Sequence, residues 1–470
     1  MREPSPGEQL AVALDVELPS QLAVGSGTAL FVRGSCRHPE RDIRALHLAA
    51  GERSLPVLAH GISLPGHPPR SGFWGVVPFE GGSAQGRTEL RVAATLEGAG
   101  TVERPLGTVE LAPDLEALPG TPPRPRGGGA RVAICMATYN PPEDLFARQV
   151  ESIRSQTTDD WLCVISDDGS EPDRLRAIEE AVGGDPRFML FPSAERLGFY
   201  RNFERALAIV PTDVPYVALA DQDDRWEPRK LEVLLGRLGD AQLVYSDARA
   251  IRPGGEPISE SLWGRRANNY TNLASLLISN SVTGAASLFR RELLDLALPL
   301  PPAPGNPFHD HWLALVALAC GELAYVDRPL LDYVQHPGAV IGYEAINPEP
   351  EEGAALRLRR LIAEPSSALA RWRTAYFDDY CRTLLFATVL RMRCASTLTP
   401  LKRRGLNRFL AGERSPATLA WLALRPLRAV AGRNETAGFE YRLLRGLVWR
   451  HLARRQRAGY GRARSSSRSS

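Results

Sequence analysis

The sequence predicts a multidomain chain of three fold types in series: an N-terminal all-β sandwich, a central α/β domain on a mainly parallel sheet, and a basic α-helical C-terminal region. Three observations predict it. Residues 1–112 break into short, partly alternating runs such as GTALFVRGSC, GFWGVVPFE and TELRVAATLEG, punctuated by Gly, Pro and Ser, which is the spacing of a small sandwich. From Arg131 to about residue 350, strand-length apolar runs alternate with helical patterns, as strands buried on both faces by crossover helices do. From Glu351 to Ser470 the periodicity turns helical and the chain carries 25 Lys and Arg against 8 Asp and Glu, while the first 350 residues carry 32 against 46. A chain so polarised offers one end to an anionic surface.

The bulk composition narrows the classes further. Of 470 residues, 44% are apolar and 24% charged, the proportions of a globular protein. MREPSPGEQL contains no apolar signal core, and WLALVALAC at Trp312–Cys320 is too short to span a bilayer. Six cysteines are scattered without a C-x-x-C pair. Cys135 and Cys163 fall inside strand-like runs, which reads as a reduced core in a cytosolic protein and excludes a zinc site. Residues 113–130, rich in Pro and Gly, read as a linker, and the glycines at 127–129 precede a strand instead of following one, so they cradle no phosphate.

Within the central segment, RVAICMAT is a strand and PEDLFARQVESIRSQ a helix with Phe146, Val150 and Ile153 on one face. WLCVIS is the next strand. SEPDRLRAIEEAV follows as a helix, with Ser170 and Asp173 in capping-box spacing and Leu175, Ile178 and Val182 inward. FMLF, YVALA and AQLVYS are further strands. Their ends, ATYN, SDDGS, ADQDD and YSD, are polar and mostly acidic. In a parallel sheet that is where ligands lie.

ADQDD holds three carboxylates within four positions, Asp221, Asp223 and Asp224. Acids this close raise one another's pKa, and a cation resolves the conflict. Asp221 and Asp223, two apart on an extended segment, point the same way. A solvated acidic turn capping the helix near Pro228 is the bland alternative.

MATYN (Met136–Asn140), SDDGS (Ser166–Ser170), ADQDDRW (Ala220–Trp226), NSVTGAASLFRREL (Asn280–Leu293), HDHW (His309–Trp312) and YVQHPGAVIG (Tyr333–Gly342) occur in one order. That order resembles the family 2 glycosyltransferases, and within them the bacterial rhamnosyltransferase-like branch, over about Arg131 to Gly342. The resemblance implies a GT-A fold and an inverting, metal-dependent transfer of a sugar, with rhamnose as a candidate, from a nucleoside-diphosphate donor to a glycan or lipid-linked acceptor of a cell-surface polysaccharide. It implies Mg²⁺ or Mn²⁺ at Asp221, Asp223 and His336, an ion that spreads the charge of the leaving diphosphate. Donor contacts would come from Thr138, Tyr139, Asp167 or Asp168, Gly198, Arg201, Asn202 and Asp221, with the choice between the two adjacent aspartates for the base left open. Asn280, Thr283, Gly284, His309 and Trp312 would shape the acceptor side. Asp310 would be the base that takes the acceptor proton, desolvated by neighbours such as Trp312. Branch members often carry an arginine two residues before the late histidine; this chain has Val334 there.

In the basic region, FEYRLLRGLVWRHLARRQRAGY sets an apolar stripe of Leu444, Leu447, Val448 and Leu452 among Arg442, Arg445, Arg454 and Arg455. PLKRRGLNRFL and LALRPLRAV repeat the theme, which fits peripheral binding to the anionic inner face of the plasma membrane and no nucleic acid. Helices packing on the central domain are the alternative for 356–395. Residues 459–470 read as a disordered tail. Two competing functions remain: a glycan-binding scaffold with a decayed transferase domain, and a sugar nucleotidyltransferase, which would need a Gly-rich basic loop where ATYN stands.

Overall fold

The computed structural model describes residues 10–82, 86–116, 122–263, 267, 268, 270–338, 363–436 and 438–467. The N-terminal strands form two sheets. One is ordered β1 (Ala11–Leu14), β3 (Gly27–Arg37), β7 (Gly72–Glu80), β6 (Ala59–Ile62); the other β2 (Gln21–Ala23), β9 (Thr101–Ala112), β8 (Gly86–Leu96), β4 (Ile43–Ala50), β5 (Arg53–Pro56). Alternation along the strands turns Leu30, Val32 and Phe73 of the first sheet and Leu46, Val92 and Val109 of the second into one buried cluster.

The central sheet has nine strands: β10 (Val132–Thr138), β11 (Trp161–Asp167), β12 (Phe188–Pro192), β13 (Tyr216–Ala220), β14 (Arg225–Trp226), β15 (Leu243–Ile251), β16 (Pro257–Ser259), β17 (Ser287–Arg290) and β18 (Leu323–Val334). Their order is β12-β11-β10-β13-β17-β15-β18-β14, with β16 beside β15. Pairs β12/β11, β11/β10, β10/β13 and β15/β18 are parallel, whereas β17 lies antiparallel to both β13 and β15, and β14 and β16 are antiparallel edges. The expectation of a mainly parallel sheet therefore holds for one half. An unbroken apolar run reports burial on both faces, not direction, and the short SLFR strand inserts against the grain.

Seven helices accompany this sheet among the described residues before 339: α1 (Glu143–Arg154), α2 (Pro172–Val182), α3 (Phe199–Ala208), α4 (Lys230–Leu238), α5 (Leu273–Ile278), α6 (Leu294–Ala297) and α7 (His309–Cys320). In α1, Phe146, Val150 and Ile153 are buried as the spacing requires. In α2 only Ile178 is fully buried, and the helix starts on Pro172 after Glu171 without a side-chain cap. Ser170 does not cap it; its hydroxyl donates to Asp167 and accepts from the amide of Asn140.

The C-terminal region is helical over Pro365–Thr374, Cys381–Arg393, Pro400–Ala411 and Pro416–Leu424, with a π-turn at Ala375–Tyr380 and a 3₁₀ segment at Arg425–Ala431. A last helix runs Glu440–Ser467, so the segment expected to be disordered from 459 continues as helix to Ser467. These helices close over the rest of the chain. One buried cluster contains Trp74 of β7, Phe203 of α3, Trp312 of α7, Tyr376, Leu385 and Leu447. Trp74 donates its indole N–H to the Tyr376 hydroxyl at 2.8 Å and stacks on Trp449. The buried Arg393 guanidinium donates to the carbonyls of Gly27, Leu296, Ala297 and Pro299, tying three stretches of chain at one point. The linker is pinned as well: Arg124 donates to the Ala208 carbonyl and the Gly127 amide to Asp213. A Cβ at Gly127 would meet that carboxylate at 2.6 Å.

The apolar stripe of the last helix faces protein. Leu443, Leu447 and Trp449 are buried, Leu444 and Val448 half-buried, and only Leu452 is exposed. Gly446 sits so close to the Tyr376 backbone that a Cβ there would lie 2.8 Å from it. Arg442 pairs with Asp379 and Arg450 with Glu413. Among the described residues no helix is long and apolar enough to cross a membrane.

Candidate active site

The site gathers where β10, β11 and β13 end. Register pairs Thr138 with Asp167 and Met136 with Ala220, so ATYN, SDDGS and DQDD emerge side by side. Gln222 links two of these loops, accepting from the Tyr139 amide at 2.8 Å and donating to the Tyr139 carbonyl. Gln149 of α1 donates to the Asp221 carbonyl.

The acidic triplet divides its labour. Asp223 meets His336 Nε2 at 2.8 Å, bringing the late histidine back to the fourth strand's tip as the motif order implied. Burial, then Asp223 and Asp310, push the Asp221 carboxyl up to about 7. Asp224 is buried, accepts from the Val334 amide at 3.1 Å, and keeps Oδ2 without a partner among the described residues. Its carboxyl is held well above the ordinary range, first by burial and then by Asp221 and Asp223. Arg225 does not hold it: with Arg249, that arginine pairs with Asp332 instead.

Sequence reasoning missed the cation that is built in. Lys230, fully buried in the first turn of α4, faces Asp224 and Asp221, lies 3.4 Å from the Trp226 ring centroid and donates to the Ala285 carbonyl. Burial lowers its pKa while the two aspartates oppose that. A buried ammonium beside buried acids offsets part of their desolvation. The signal was present, since α4 turns Leu231, Leu234 and Leu238 inward on the same side, but a lysine before such a face usually reaches out to solvent. Tyr333 was missed too. Its phenol is raised by burial and by all four of Asp221, Asp224, Asp223 and Asp310, which places it among them.

Opposite the triplet, α7 opens with His309 and Asp310. Asp310 accepts from the amides of His311 at 2.6 Å and Gly284 at 3.1 Å, and from the Asn280 side chain. Burial outweighs these bonds and raises its carboxyl to about 6. Gly284 allows the approach: a Cβ there would stand 3.0 Å from the Asp310 Cβ and 3.2 Å from His309 Nε2. Thr283, the residue before the one-turn 3₁₀ helix at Gly284–Ala286, is half-buried beside it.

Other sequence candidates turn inward. His309 stacks on Phe203 with centroids 3.6 Å apart, and burial lowers its pKa to about 3, so its ring is neutral. Trp312, expected on the acceptor side, has no exposed surface and donates to the Ala297 carbonyl at 2.8 Å, so its ring packs in the core. Asn202 bridges the Thr138 and Ser166 carbonyls and accepts from the Ser166 hydroxyl, holding two strand ends in place. Arg201 pairs with Glu204 and the Leu300 carbonyl, on the α6–α7 side. Asp167 takes Thr138, the Ser170 amide and the Ser170 hydroxyl. Asp168 takes the amides of Leu197 and Gly198, fixing the loop into α3, where Gly198 has φ 80°. The basic groups at this rim are others: Arg205, bonded to Ser166 and Phe191, and Arg196, 3.9 Å over the Tyr139 ring.

The donor set suits a hard divalent cation of the kind that takes one or two protein carboxylates and completes its shell with phosphate and water. Asp223 and His336 meet and Asp221 lies within electrostatic reach of Asp223, while among the described residues no group of three or more acidic, histidine or cysteine side chains is placed to hold a metal ion, so such a cation would take one or two of these side chains at most.

Residues 133–296 match the model of the family described as Glycosyl transferase family 2. Among curated proteins, the chain is similar to an uncharacterized glycosyltransferase of Methanocaldococcus jannaschii, 31% identical over 102 residues, covering 22% of this chain and 34% of that protein. It is also similar to Protein CgeD of Bacillus subtilis, 28% identical over 178 residues, covering 36% and 40%. The aligned stretches span well under half the length of these relatives. Among solved structures it aligns with Staphylococcus aureus TarS residues 1–349 in complex with UDP-GlcNAc at 14% identity and TM-score 0.39, covering 67% of this chain and 90% of that one. A Pyrobaculum calidifontis mannosyltransferase in complex with GDP-Man and Mn²⁺ aligns at 16% identity and TM-score 0.35, covering 70% and 88%.

Proposed function

We propose that the chain is an inverting glycosyltransferase of GT-A type that uses a nucleoside-diphosphate sugar and a divalent cation. The observation that carries this reading is the placement of Asp310. Its carboxyl, raised to about 6 by burial, lies within electrostatic reach of the acidic strand tip that holds Asp221 and Asp223. A base near the working pH, opposite a site for a departing anion, is what single displacement at an anomeric carbon requires.

In that reaction the acceptor hydroxyl gives its proton to Asp310, its oxygen bonds to the anomeric carbon from the face opposite the diphosphate, and the carbon–oxygen bond to the diphosphate breaks. The amide of Gly284 and the side chain of Asn280 hold the carboxylate for that transfer. Mg²⁺ or Mn²⁺, when bound by Asp221, Asp223 and His336, spreads the charge of the leaving diphosphate. Arg205 and Arg196 line the rim on the donor side. Rhamnose as the sugar and a glycan or lipid-linked acceptor rest on the motif resemblance.

Donor hydrolysis across thymidine-, uridine- and guanosine-diphosphate sugars, with and without Mn²⁺, tests the reading on wild type and Asp310→Asn. The expected result is turnover of one donor that needs the ion and is lost in the variant. Hydrolysis indifferent to both sinks it. A thermal-shift titration with Mn²⁺ gives a readout independent of turnover: the wild type is stabilised and Asp223→Asn is not.

A further inference from the structure

With the last helix turned inward, the C-terminal region presents a different apolar surface to solvent. Leu424, Leu427 and Val430 are 61%, 64% and 88% exposed. They sit at the end of the Pro416–Leu424 helix and along the 3₁₀ segment Arg425–Ala431. With three residues per turn, side chains at this spacing eclipse, so the three form a single ridge. The opposite side of the same segment is anchored: Arg425 is buried against Ser275 and Arg428 pairs with Glu435. The ridge is therefore held rigidly and aimed outward.

The exposed charge of the flanking sequence has one sign. Residues 395–439 contain Lys402, Arg403, Arg404, Arg408, Arg414, Arg425, Arg428 and Arg433 against Glu413 and Glu435. Both glutamates are buried, at 6% and 5% exposure, and paired with Arg450 and Arg428. Arg403, Arg404, Arg408, Arg414 and Arg433 are exposed. Arg408 lies 4.9 Å over the Trp421 ring, one turn before Leu424, so basic charge stands beside the ridge.

We infer that Leu424, Leu427 and Val430, framed by these arginines, form a docking surface for an anionic lipid bilayer. Exposed leucine and valine on a fixed ridge insert at the headgroup boundary, while guanidinium groups around them meet lipid phosphates. Charge complementarity selects this occupant, because the described surface of 395–439 exposes basic side chains and no carboxylate. The inference goes beyond the transferase reading and does not depend on the donor or the acceptor.

The test is co-sedimentation of the full chain with vesicles of phosphatidylcholine alone or with about a third phosphatidylglycerol, at low and high salt. The wild type should pellet with the anionic vesicles at low salt. Leu424→Ser/Leu427→Ser/Val430→Ser should weaken binding by roughly tenfold or more, and Arg403→Gln/Arg404→Gln/Arg433→Gln on the order of a hundredfold. All six positions are exposed, so thermal midpoints and lipid-free donor hydrolysis should be unchanged. Failure of the wild type to pellet, or pelleting that the serine variant retains, overturns the proposal. So does concentration-dependent dimerisation without lipid that the serine variant abolishes, which would make the ridge a contact between copies. Binding of duplex DNA without vesicle binding also overturns it.

Discussion

Asp310 and Lys230 show how single residues set the chemistry. If Asp310 is the base, Asp310→Asn lowers kcat by roughly 10²- to 10⁴-fold. With its carboxyl near 6, wild-type kcat rises through that pH and levels off above it, a profile that steady-state rates against pH would show. The same shift affects stability with the opposite sense. The folded state holds this proton more tightly than the unfolded chain, so the contribution is fully present below the unfolded pKa and is lost as pH rises through about 6. Denaturant titrations should find Asp310→Asn less pH-dependent than wild type and more stable above pH 7, by about 1–3 kcal/mol. Lys230→Met removes the ammonium facing Asp224 and Asp221. It should cost about 3–5 kcal/mol, and the double variant with Asp224→Asn should recover part of that. The acidic triplet was legible from spacing alone. Its internal counter-ion was not, because no sequence pattern separates a lysine that snorkels outward from one that turns under a sheet.

Among elements, the strands β10, β11 and β13 and the helices α1 and α2 could be read from periodicity, and the polar strand ends emerge side by side as their order implied. What escaped was direction and destination. β17 reads like its parallel neighbours but runs opposite to them. Trp312 and Asn202 belong to motifs near the site, yet helical phase turns one into the core and uses the other to fasten strand ends. The junction of the 284–286 turn with α7 offers a sharper test. Gly284→Ala places a methyl group 3.0 Å from the Asp310 Cβ, so the start of α7 must shift. If Asp310 is the base, the expected outcome is a fall in kcat with a smaller change in KM, since the Asp310 side chain must give way to the added methyl group.

At the scale of the whole molecule, one buried apolar cluster joins residues of all three segments, beside separate clusters within the N-terminal sheets and in the central domain, where composition suggested independent units. The changes of pattern near 112, 130 and 350 were plain, because secondary structure follows local periodicity. The packing across them was hidden, because the partners of Trp74 and Arg393 lie hundreds of residues away in sequence. Trp74→Ala should lower stability by about 3–5 kcal/mol. It should also leave a single cooperative unfolding transition by calorimetry, since the N-terminal sheets and the C-terminal helices share that cluster.

The four-carbonyl grip of Arg393 has a practical corollary. Its partners are Gly27 near the start of the chain and the carbonyls at 296, 297 and 299 that lead into the helix carrying Asp310. A gene fragment trimmed to residues 131–350 would lose Phe386 and Arg393, which pack on Trp312, and should emerge insoluble, whatever its sequence motifs promise. Swapping residues 131–350 between relatives should succeed only when the wrapping at both ends travels with them.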